Sequence, residues 1–410
     1  MATHSVVYSE GSLHGLPSFP DESNLTNLTA LVTGANGISG YHLVRVLAAN
    51  PKRWSQIYCL SRRSPPDNFF EDLGEAATRV KHIAVDFLSK PAQIAERLKE
   101  NVQKIDHVFF FSYMQTQQKG SVLEMWSDAS ALAEVNSKLL SNFLDGLRLT
   151  SLQPKRFLLQ TGAKNYGFHM GPATNPSFES DPRVTLEDNF YYPQEDALAK
   201  YCEETGAAWN VVRPSYIIGA VRDGALNFMI GLAIYGAIQS YLKKPLDFPG
   251  DYAAWDREFC QSTALLNAHF EEWAATRHST STTDSLGLAF RGIPLKQILR
   301  NSGYGPTGIT RSTFSLLEWS RETEVQQAWK TLSKDHELIL DPFDEQKRAQ
   351  IFGMSDSALL GDWPLSLSMR KARKLGFFGT ADSFETAFEA IQDLARLKLV
   401  MPTVIKEYSE

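Results

Sequence analysis

The order of apolar segments in the first half of the chain constrains the fold more than any other feature of the sequence. Short segments that are apolar at nearly every position follow one another between residues 29 and 215, with stretches of helical apolar spacing between them. The predicted strands are TALVTG, QIYCLSR, VKHIAVDF, HVFFFSY, RFLLQTG and AWNVVRPS. Strands that are apolar on both faces are typical of a parallel sheet covered by helices on both sides. The sequence therefore predicts an α/β protein with a doubly wound parallel sheet.

This pattern divides the chain into three regions. Residues 1–26 are polar and are predicted to form an N-terminal tail that is loose or becomes ordered late, and residues 27–215 form the predicted nucleotide-binding domain. Residues 216–410 lose the alternation and are predicted to form a smaller, mostly helical lobe that mainly binds substrate. Within this lobe, the apolar run 228–238 is about half of the ~20 residues that a membrane span needs, so it is predicted to be a buried helix. The Ser/Thr-rich stretch 277–285 is predicted to be an exposed loop.

The composition excludes several classes of protein. The formal net charge of −6 leaves no basic stripe for nucleic acid or for an anionic membrane. The cysteines Cys59, Cys202 and Cys260 are far apart, which argues against both a disulfide framework and a metal site and suits a reducing compartment. The first residues lack the apolar segment of a signal peptide. We therefore expect a cytoplasmic protein without a metal and without nucleic-acid or membrane partners.

A glycine-rich turn, TGANGISG, joins the first predicted strand to a helix. Gly34, Gly37 and Gly40 allow a tight turn and let backbone N–H groups approach a pyrophosphate at the helix N-terminus, where the helix dipole favours anions. A turn without a ligand is the alternative. The position at the first βα turn favours a dinucleotide site, which would also include Ile38.

The second predicted strand ends in SRRS, Ser61 to Ser64. Arg62 and Arg63 stand where an acidic residue usually binds the ribose 2′-OH of NAD, and two guanidinium groups suit a 2′-phosphate. A solvated surface pair is the alternative, but together with the glycine turn the pair predicts NADPH, with Ser61 beside it. Asp86, after the third strand, either accepts a hydrogen bond from the adenine amino group or caps the next helix.

Lys164 follows the fifth predicted strand, in LLQTGAKNYG. Ligands of open parallel sheets bind at the carboxyl ends of the strands, so this lysine is favoured as functional over a solvent-exposed loop charge. None of the 14 tyrosines has a lysine four residues later. The Tyr-x-x-x-Lys pair that is common in enzymes with such a sheet is therefore absent, and two adjacent tyrosines stand instead in NFYYPQED, residues 189–196.

The motifs TGANGISG, CLSRR, LLQTGAKNYG, NFYYPQED and VVRPSYIIG together resemble the progesterone 5β-reductase/iridoid synthase-like family of atypical extended short-chain dehydrogenases. The resemblance implies a Rossmann-type fold and transfer of a hydride from NADPH to the β-carbon of an α,β-unsaturated carbonyl compound. It implies that Tyr191 and Lys164 replace the usual catalytic pair. It also places Gly162 where a Ser or Thr normally helps to bind the carbonyl group.

The chemistry expected of this pair is simple. Hydride addition to the β-carbon leaves negative charge on the carbonyl oxygen, and a phenol aimed at that oxygen donates a hydrogen bond that strengthens as the charge develops. Lys164 is expected to favour ionisation of the phenol and to hold the nicotinamide ribose, whereas Tyr192 is expected to pack. The resemblance also implies cofactor contacts, each of which ordinary packing would explain equally, from Ser112, Tyr113, Thr161, Pro214 and Ile217.

Other functions stay open at this point. The same scaffold suits a non-redox isomerase or cyclase, a ketone reductase, or a regulator that senses NADP(H) without chemistry. The substrate is expected to be small and apolar, in terpenoid, steroid-like or other secondary metabolism. A homodimer is compatible with the sequence, which does not determine the oligomeric state.

One long segment departs from the family pattern. Residues 286–370 do not show clearly the Phe-Asn, Asn-Gly-Asp and tryptophan-bearing helix expected of the family. Because this part of the lobe would close the pocket, the substrate is the least determined part of the prediction.

Overall fold

The structure is a computed structural model that describes residues 7–19, 25–116, 128–222, 224, 227–250, 254–255, 259–277, 284–288, 314–360 and 363–402. Its strands are β1 (Val7–Glu10), β2 (Leu13–Pro17), β3 (Leu28–Thr33), β4 (Trp54–Ser61), β5 (Val80–Ala84), β6 (His107–Phe110), β7 (Arg156–Gln160), β8 (Ala208–Pro214), β9 (Tyr216–Ile218), β10 (Gln261–Thr263), β11 (Asp284–Leu288) and β12 (Thr380–Ala381). Its α-helices are α1 (Ile38–Ala48), α2 (Asp67–Glu71), α3 (Pro91–Asn101), α4 (Ala129–Arg148), α5 (Tyr191–Thr205), α6 (Phe228–Leu242), α7 (Ala264–Thr276), α8 (Leu316–Trp319), α9 (Thr323–Asp335), α10 (Glu345–Leu359), α11 (Arg370–Lys374) and α12 (Ser383–Arg396).

A seven-stranded sheet forms the centre of the molecule, in the order β11-β8-β7-β6-β3-β4-β5. Every pairing in it is parallel. Within this sheet, the chain begins at β3, continues outward to β5, and then crosses back to β6 on the other side of β3. Strands β3 to β8 coincide with the predicted strands. The reversal between β3 and β6 opens a crevice at the carboxyl ends of the strands, where open α/β sheets bind ligands.

Helices cover both faces of this sheet, as the strand pattern predicted. In β3, Ala30 and Val32 belong to one core, which they share with residues of α1 and α7 such as Leu43 and Phe270. The intervening Leu31 belongs to a second core, which it shares with residues of α3, α4 and α5 such as Leu140. This alternation is what a strand buried on both faces requires. The predicted doubly wound Rossmann-type fold is confirmed.

The helical lobe has a core of its own. Residues of α6, α8, α9, α10 and α12 pack together in it, with large side chains such as Tyr235, Trp319, Trp329 and Phe352. The predicted buried helix is α6, where Phe228, Ile234 and Ile238 are inaccessible or nearly so. Among the described residues, none of the helices combines the length and apolarity that crossing a membrane would require.

The N-terminal region differs from the loose tail that was expected. Strands β1 and β2 form an antiparallel hairpin, and β2 pairs in turn with β12. Leu13 and Leu16 are buried in the same core as α1 and α7, and the Ser12 hydroxyl donates to Glu389 at 2.8 Å. The tail prediction is therefore wrong for residues 7–17, because these apolar side chains have a binding surface elsewhere in the fold. Residues 1–6 and 20–24 lie outside the described part of the chain.

The division of the chain at residue 215 is not a single cut. Helix α7 packs on α1, and β11 pairs with β8. The C-terminal region therefore supplies one strand of the central sheet and one helix of the layer that covers it. The loop predicted for 277–285 is wrong at Asp284 and Ser285, which belong to β11, while 278–283 lie outside the described residues. In the divergent segment 286–370, residues 289–313 also lie outside the described residues.

Candidate active site

The glycine-rich turn has the backbone geometry that the sequence predicted. Gly34 adopts a φ of +65°, and a methyl group on it would lie 2.8 Å from the Phe111 carbonyl group. A methyl group on Gly40 would lie 2.5 Å from the Gly34 oxygen. Helix α1 starts at Ile38 with Gly37 as its N-cap, so no side chain occupies the N–H groups of its first turn. The turn therefore offers these donors to an anion.

The loop after β4 is tied to this turn. The Asn36 amide donates to the Arg63 carbonyl oxygen at 3.0 Å, and the Ser61 hydroxyl is 2.8 Å from the same oxygen. Arg62 and Arg63 are exposed, and neither guanidinium group has a protein partner among the described residues. Asn36 was not predicted from the sequence, although its place inside the glycine turn was a signal.

Asp86 lies on the same side of the crevice but does not cap a helix. Its carboxylate accepts a hydrogen bond from the Leu88 N–H at 2.9 Å, and the N-cap of the next helix, α3, is Lys90. The capping alternative for Asp86 is therefore wrong. Its side chain is exposed at the cavity wall, so the alternative contact with an adenine stays a prediction.

All of the predicted site residues line one cavity of about 840 Å³ at the carboxyl ends of the strands. The cofactor residues in it are Gly34, Gly37, Ile38, Gly40, Ser61, Arg62, Arg63, Asp86, Ser112, Tyr113, Thr161, Pro214 and Ile217. Tyr191 and Lys164 line the same cavity, whereas Tyr192 does not. The chain thus brings together groups that are far apart in the sequence, while the role of each stays a prediction.

The ends of the central strands are fixed to one another beneath this cavity. The Thr33 hydroxyl accepts hydrogen bonds from the Phe111 and Ser112 N–H groups, at 3.1 and 3.3 Å. The Thr161 N–H donates to the Val212 carbonyl oxygen at 2.8 Å. The strand ends that carry Ser112 and Thr161 are therefore held in fixed register with their neighbours.

Tyr191 is the first residue of α5, and its phenol lies over Gly162. A methyl group on Gly162 would come within 2.9 Å of the Tyr191 oxygen, so the hydroxyl occupies the space that a side chain at 162 would need. The Tyr191 ring contacts Phe190 edge-on, with 4.5 Å between the ring centroids. Burial raises the pKa of the Tyr191 phenol, which stays protonated at neutral pH and can donate a hydrogen bond. Lys164 was expected to favour ionisation of the phenol, but the cause that acts on the Tyr191 pKa is burial, and it acts in the opposite direction.

Lys164 is buried in a short 3₁₀ turn, Ala163–Tyr166, directly after β7. Its ammonium nitrogen lies 3.2 Å from a carboxylate oxygen of Glu187. Burial lowers the pKa of Lys164, and the nearby Glu187 charge opposes this effect. The same Glu187 oxygen is hydrogen-bonded to Nε2 of His169. Glu187 and His169 also line the cavity, and neither was predicted from the sequence.

Side chains of NFYYPQED hold the Lys164 turn in place. The Asn189 amide donates to the Lys164 carbonyl oxygen at 3.1 Å. The Tyr192 hydroxyl donates to the Asn165 carbonyl oxygen at 2.6 Å and accepts from the Val184 N–H at 2.8 Å. The two tyrosines therefore divide their tasks, since Tyr191 faces the cavity and Tyr192 anchors the turn. Tyr192 was expected only to pack, but its hydroxyl also makes these two hydrogen bonds.

The acidic end of the same motif continues this anchor. Glu195 accepts hydrogen bonds from the Asn165 amide at 3.1 Å and from the Arg213 guanidinium at 2.9 Å. The Glu195 and Arg213 side chains are only 9% and 7% exposed, so the pair is buried. The other Glu195 oxygen lies 3.3 Å from the Arg183 guanidinium, which pairs more closely, at 2.7 Å, with Asp196 at the surface. We use the term clamp for Asn189, Tyr192 and Glu195, which together fix the Lys164 turn against α5.

Another wall of the cavity is aromatic. The Tyr216 ring contacts both Phe168 and Phe259, with centroid distances of 6.0 and 4.9 Å. The Trp363 indole N–H donates to the Phe168 carbonyl oxygen at 2.7 Å. Asp356, also at this wall, has its carboxylate engaged by the Ser315 hydroxyl and by two backbone N–H groups at the start of α8.

Comparison with known proteins identifies related sequences. The model of a family described as the PRISE-like Rossmann-fold domain matches residues 30–284. The chain is 28% identical to a short chain dehydrogenase of Penicillium aethiopicum, covering 91% of this chain and 99% of the relative. It is 25% identical to a 3-oxo-Δ(4,5)-steroid 5-beta-reductase of Arabidopsis thaliana, over 90% of this chain and 92% of the relative. It is 26% identical to an (S)-8-oxocitronellyl enol synthase of Camptotheca acuminata, over 90% and 93% of the two chains.

Solved structures of the same fold include nucleotide-sugar epimerases. UDP-glucuronic acid 4-epimerase from Bacillus cereus, solved with NAD, aligns with a TM-score of 0.59 and 14% identity, covering 90% of this chain and 100% of the epimerase. UDP-glucose 4-epimerase from Bifidobacterium longum aligns with a TM-score of 0.61 and 13% identity, over 90% and 98% of the two chains. At this identity the similarity concerns the fold alone.

Proposed function

This chain belongs to the PRISE-like Rossmann-fold family, and on that premise we propose that it is an NADPH-dependent reductase that saturates the C=C bond of an α,β-unsaturated carbonyl compound. The relatives named above include a short chain dehydrogenase and a 5-beta-reductase, and the Rossmann-type fold is that of such oxidoreductases. The protein is accordingly an oxidoreductase enzyme. The observation that carries the finer proposal is the protonated Tyr191 phenol at the cavity wall, above a glycine that leaves room for it.

The glycine turn fits a dinucleotide. Any side chain at Gly34 or Gly40 would collide with the backbone, and the first turn of α1 has donors that no side chain caps. These N–H groups would hold the pyrophosphate. Arg62 and Arg63, exposed at the cavity wall without protein partners among the described residues, would hold a 2′-phosphate, which supports NADPH over NADH.

Each of the chain's own residues has a definite task in the proposed reaction. The cofactor, when bound, would supply the hydride for the β-carbon, and a proton from solvent would complete the α-carbon. The Tyr191 phenol donates a hydrogen bond to the carbonyl oxygen of the substrate and stabilises the negative charge that develops there. Lys164 adds a positive charge at the same cavity wall. The clamp fixes the turn that carries Lys164 relative to α5, so these two groups approach the substrate in a constant geometry.

The aromatic wall supports a small apolar substrate. Phe168, Tyr216 and Phe259 offer ring faces and edges, and the Asp356 carboxylate beside them is engaged within the protein. Such a wall suits a terpenoid or steroid-like enone or enal better than a charged nucleotide sugar. Such a substrate is compatible with the proposed role in terpenoid, steroid-like or other secondary metabolism.

The position of deuterium transferred from 4R- or 4S-deuterated NADPH tests the reaction. With a panel of enones and enals, we expect deuterium on the β-carbon, a retained carbonyl group and a product heavier by the added hydrogen and deuterium. Deuterium on a carbinol carbon would instead indicate a ketone reductase. A product of unchanged mass would indicate an isomerase or cyclase.

Replacement of Tyr191 tests the proposed donor. Tyr191→Phe should lower kcat by about 10²–10³-fold, the usual effect of removing one donor to a developing oxyanion, and should leave the Kd of NADPH nearly unchanged. Tyr201→Phe is the matched control, because Tyr201 lies on the same helix and does not line the cavity. Equal turnover in Tyr191→Phe and Tyr201→Phe would show that Tyr191 is not the donor.

A further inference from the structure

The Lys164 ammonium lies beside a carboxylate that the proposed reaction does not use. Lys164 is 5% exposed, and its nitrogen is 3.2 Å from Oε1 of Glu187, whose side chain is 26% exposed. A buried ammonium without a counter-charge is costly, and the usual response of a lysine in such a place is to lose its proton. Glu187 is therefore the group that makes a charged Lys164 tolerable inside the cavity wall.

His169 holds the same carboxylate from another side. Its Nε2 is hydrogen-bonded to the Glu187 oxygen that faces Lys164. An ionised carboxylate only accepts hydrogen bonds, so Nε2 carries the hydrogen. Burial lowers the pKa of His169, so its imidazole is mainly neutral near pH 7. Burial acts to raise the pKa of Glu187. The hydrogen bond from His169 and the charge of Lys164 outweigh burial, so the pKa of Glu187 is lowered.

The two loops that carry these side chains are built into the fold. Val184, three residues before Glu187, donates its N–H to the Tyr192 hydroxyl at 2.8 Å. Gly167, two residues before His169, has a φ of +73°, and a methyl group on it would lie 3.0 Å from Val184. The Phe168 carbonyl oxygen accepts from the Trp363 indole at 2.7 Å. Both loops are thus fixed by contacts close to Glu187 and His169.

Lys164 is not among the causes of the pKa shifts of Tyr191 and Asp356, two other titratable residues of this cavity. The Tyr191 phenol stays protonated, as described above. The Asp356 carboxylate is occupied by the Ser315 hydroxyl and by the Leu316 and Leu317 N–H groups. The Glu187 carboxylate acts on the charge of Lys164, because it raises the pKa of the ammonium against the effect of burial.

We propose that Glu187 is a positioning residue that keeps the Lys164 ammonium charged and fixed at the cavity wall, and that His169 orients the Glu187 carboxylate for this task. The proposal rests on the proposed function, because Lys164 has its role there. It extends the Tyr191–Lys164 pair to four side chains, two of which act through the Lys164 ammonium.

Glu187→Gln removes the negative charge and keeps the shape of the side chain. The Lys164 ammonium then stays buried without its counter-charge, and its titration midpoint should fall by at least about one pH unit, as expected for loss of an opposite charge at this distance. The alkaline limb of the pH profile of kcat should move in the same direction, with a smaller change in KM. Glu187→Asp keeps the negative charge, so its Lys164 titration midpoint should lie close to the wild-type value.

The direct measurement is an NMR titration of the full-length protein labelled with ¹³C and ¹⁵N in lysine. The Lys164 resonance is identified by its absence from Lys164→Met. Asp188→Asn is the matched control, because Asp188 is the neighbouring carboxylate and is exposed. We expect the midpoint to fall in Glu187→Gln and to stay at the wild-type value in Asp188→Asn. An equal midpoint in wild type and Glu187→Gln would overturn the proposal.

His169→Phe gives a second route to the same answer. It keeps a ring that can pack against Phe168 and removes the donor to Glu187. The titration midpoint of Lys164 should again fall in His169→Phe. If Glu187→Gln does not fold, an unchanged midpoint in His169→Phe overturns the proposal. The titration does not depend on turnover. If the protein reduces no enone, the proposed function is wrong. The shift of the Lys164 titration midpoint would still show whether Glu187 keeps the ammonium charged.

Discussion

The glycine turn and the Tyr191–Lys164 site meet in one cavity but are built in different ways. The turn is a single stretch of chain, in which backbone conformation and the absence of side chains create the binding surface. The second site joins the end of β7 to the start of α5, and buried side-chain hydrogen bonds hold the two segments together. A site built from one stretch of chain thus depends on which side chains are absent, whereas a site built from two segments depends on which side chains cross-link them.

The largest effect should follow from breaking the cross-link itself. Glu195→Ala leaves the buried Arg213 guanidinium without its carboxylate, which should lower the free energy of unfolding by about 3–5 kcal/mol. Asp196→Ala on the same helix removes a partner that is 65% exposed and should cost less than about 1 kcal/mol. Denaturant unfolding of both variants measures the difference. Similar losses would mean that burial of Glu195 is not what makes the clamp important.

A smaller effect should follow from filling the space beneath the phenol. Gly162→Ser would place a side chain where the Tyr191 hydroxyl lies, and we expect kcat to fall by about 100-fold because the donor is displaced by about 1 Å or more. The Kd of NADPH should stay close to wild type, since the glycine turn is untouched. Steady-state kinetics and a fluorescence titration of NADPH separate these two quantities.

Gly236→Ala is the matched control for this substitution. A methyl group on Gly236 meets no atom within 4 Å, so activity should be retained. If Gly162→Ser keeps full turnover, the phenol has room to move and the close approach to Gly162 has no catalytic consequence.

The smallest effect is expected for Arg62, in the loop after β4 that lies beside the glycine turn. Arg62→Ala removes a charged donor at the edge of the cavity and should raise the Kd of NADPH by roughly tenfold, with little change for NADH. Arg321→Ala, on the helical lobe, is the control for loss of an exposed arginine and should change neither value. Equal changes for both cofactors would argue against recognition of the 2′-phosphate by Arg62.

The same contrast explains what could be predicted from the sequence. Gly34, Gly40 and the arginine pair act within short stretches, so their spacing alone predicted their place in the structure. Tyr191 and Lys164 were predicted through resemblance to a family, and their convergence on one cavity could not be read from spacing. Glu187 and His169 were missed, because a lone acid or histidine in a loop looks the same whether it lies at the surface or against a buried ammonium.

The N-terminal hairpin was missed for a related reason. Its partner strand β12 pairs Thr380 with His14, so no local pattern reports the pairing. Alternation of polar and apolar residues in a short segment near the N-terminus is compatible with a tail until the covering surface is known. The strands of the central sheet were predictable because each is apolar on both faces in its own sequence.

The pairing of β2 with β12 also has a consequence for synthesis on the ribosome. Strand β2 is translated early and β12 late, and at about 5–20 residues per second the interval is on the order of tens of seconds. During this time the nascent hairpin has no third strand, while strands β3 to β7 obtain all of their neighbours. Completion of this small sheet is thus left to the final stage of synthesis, after every strand of the nucleotide-binding sheet has been translated.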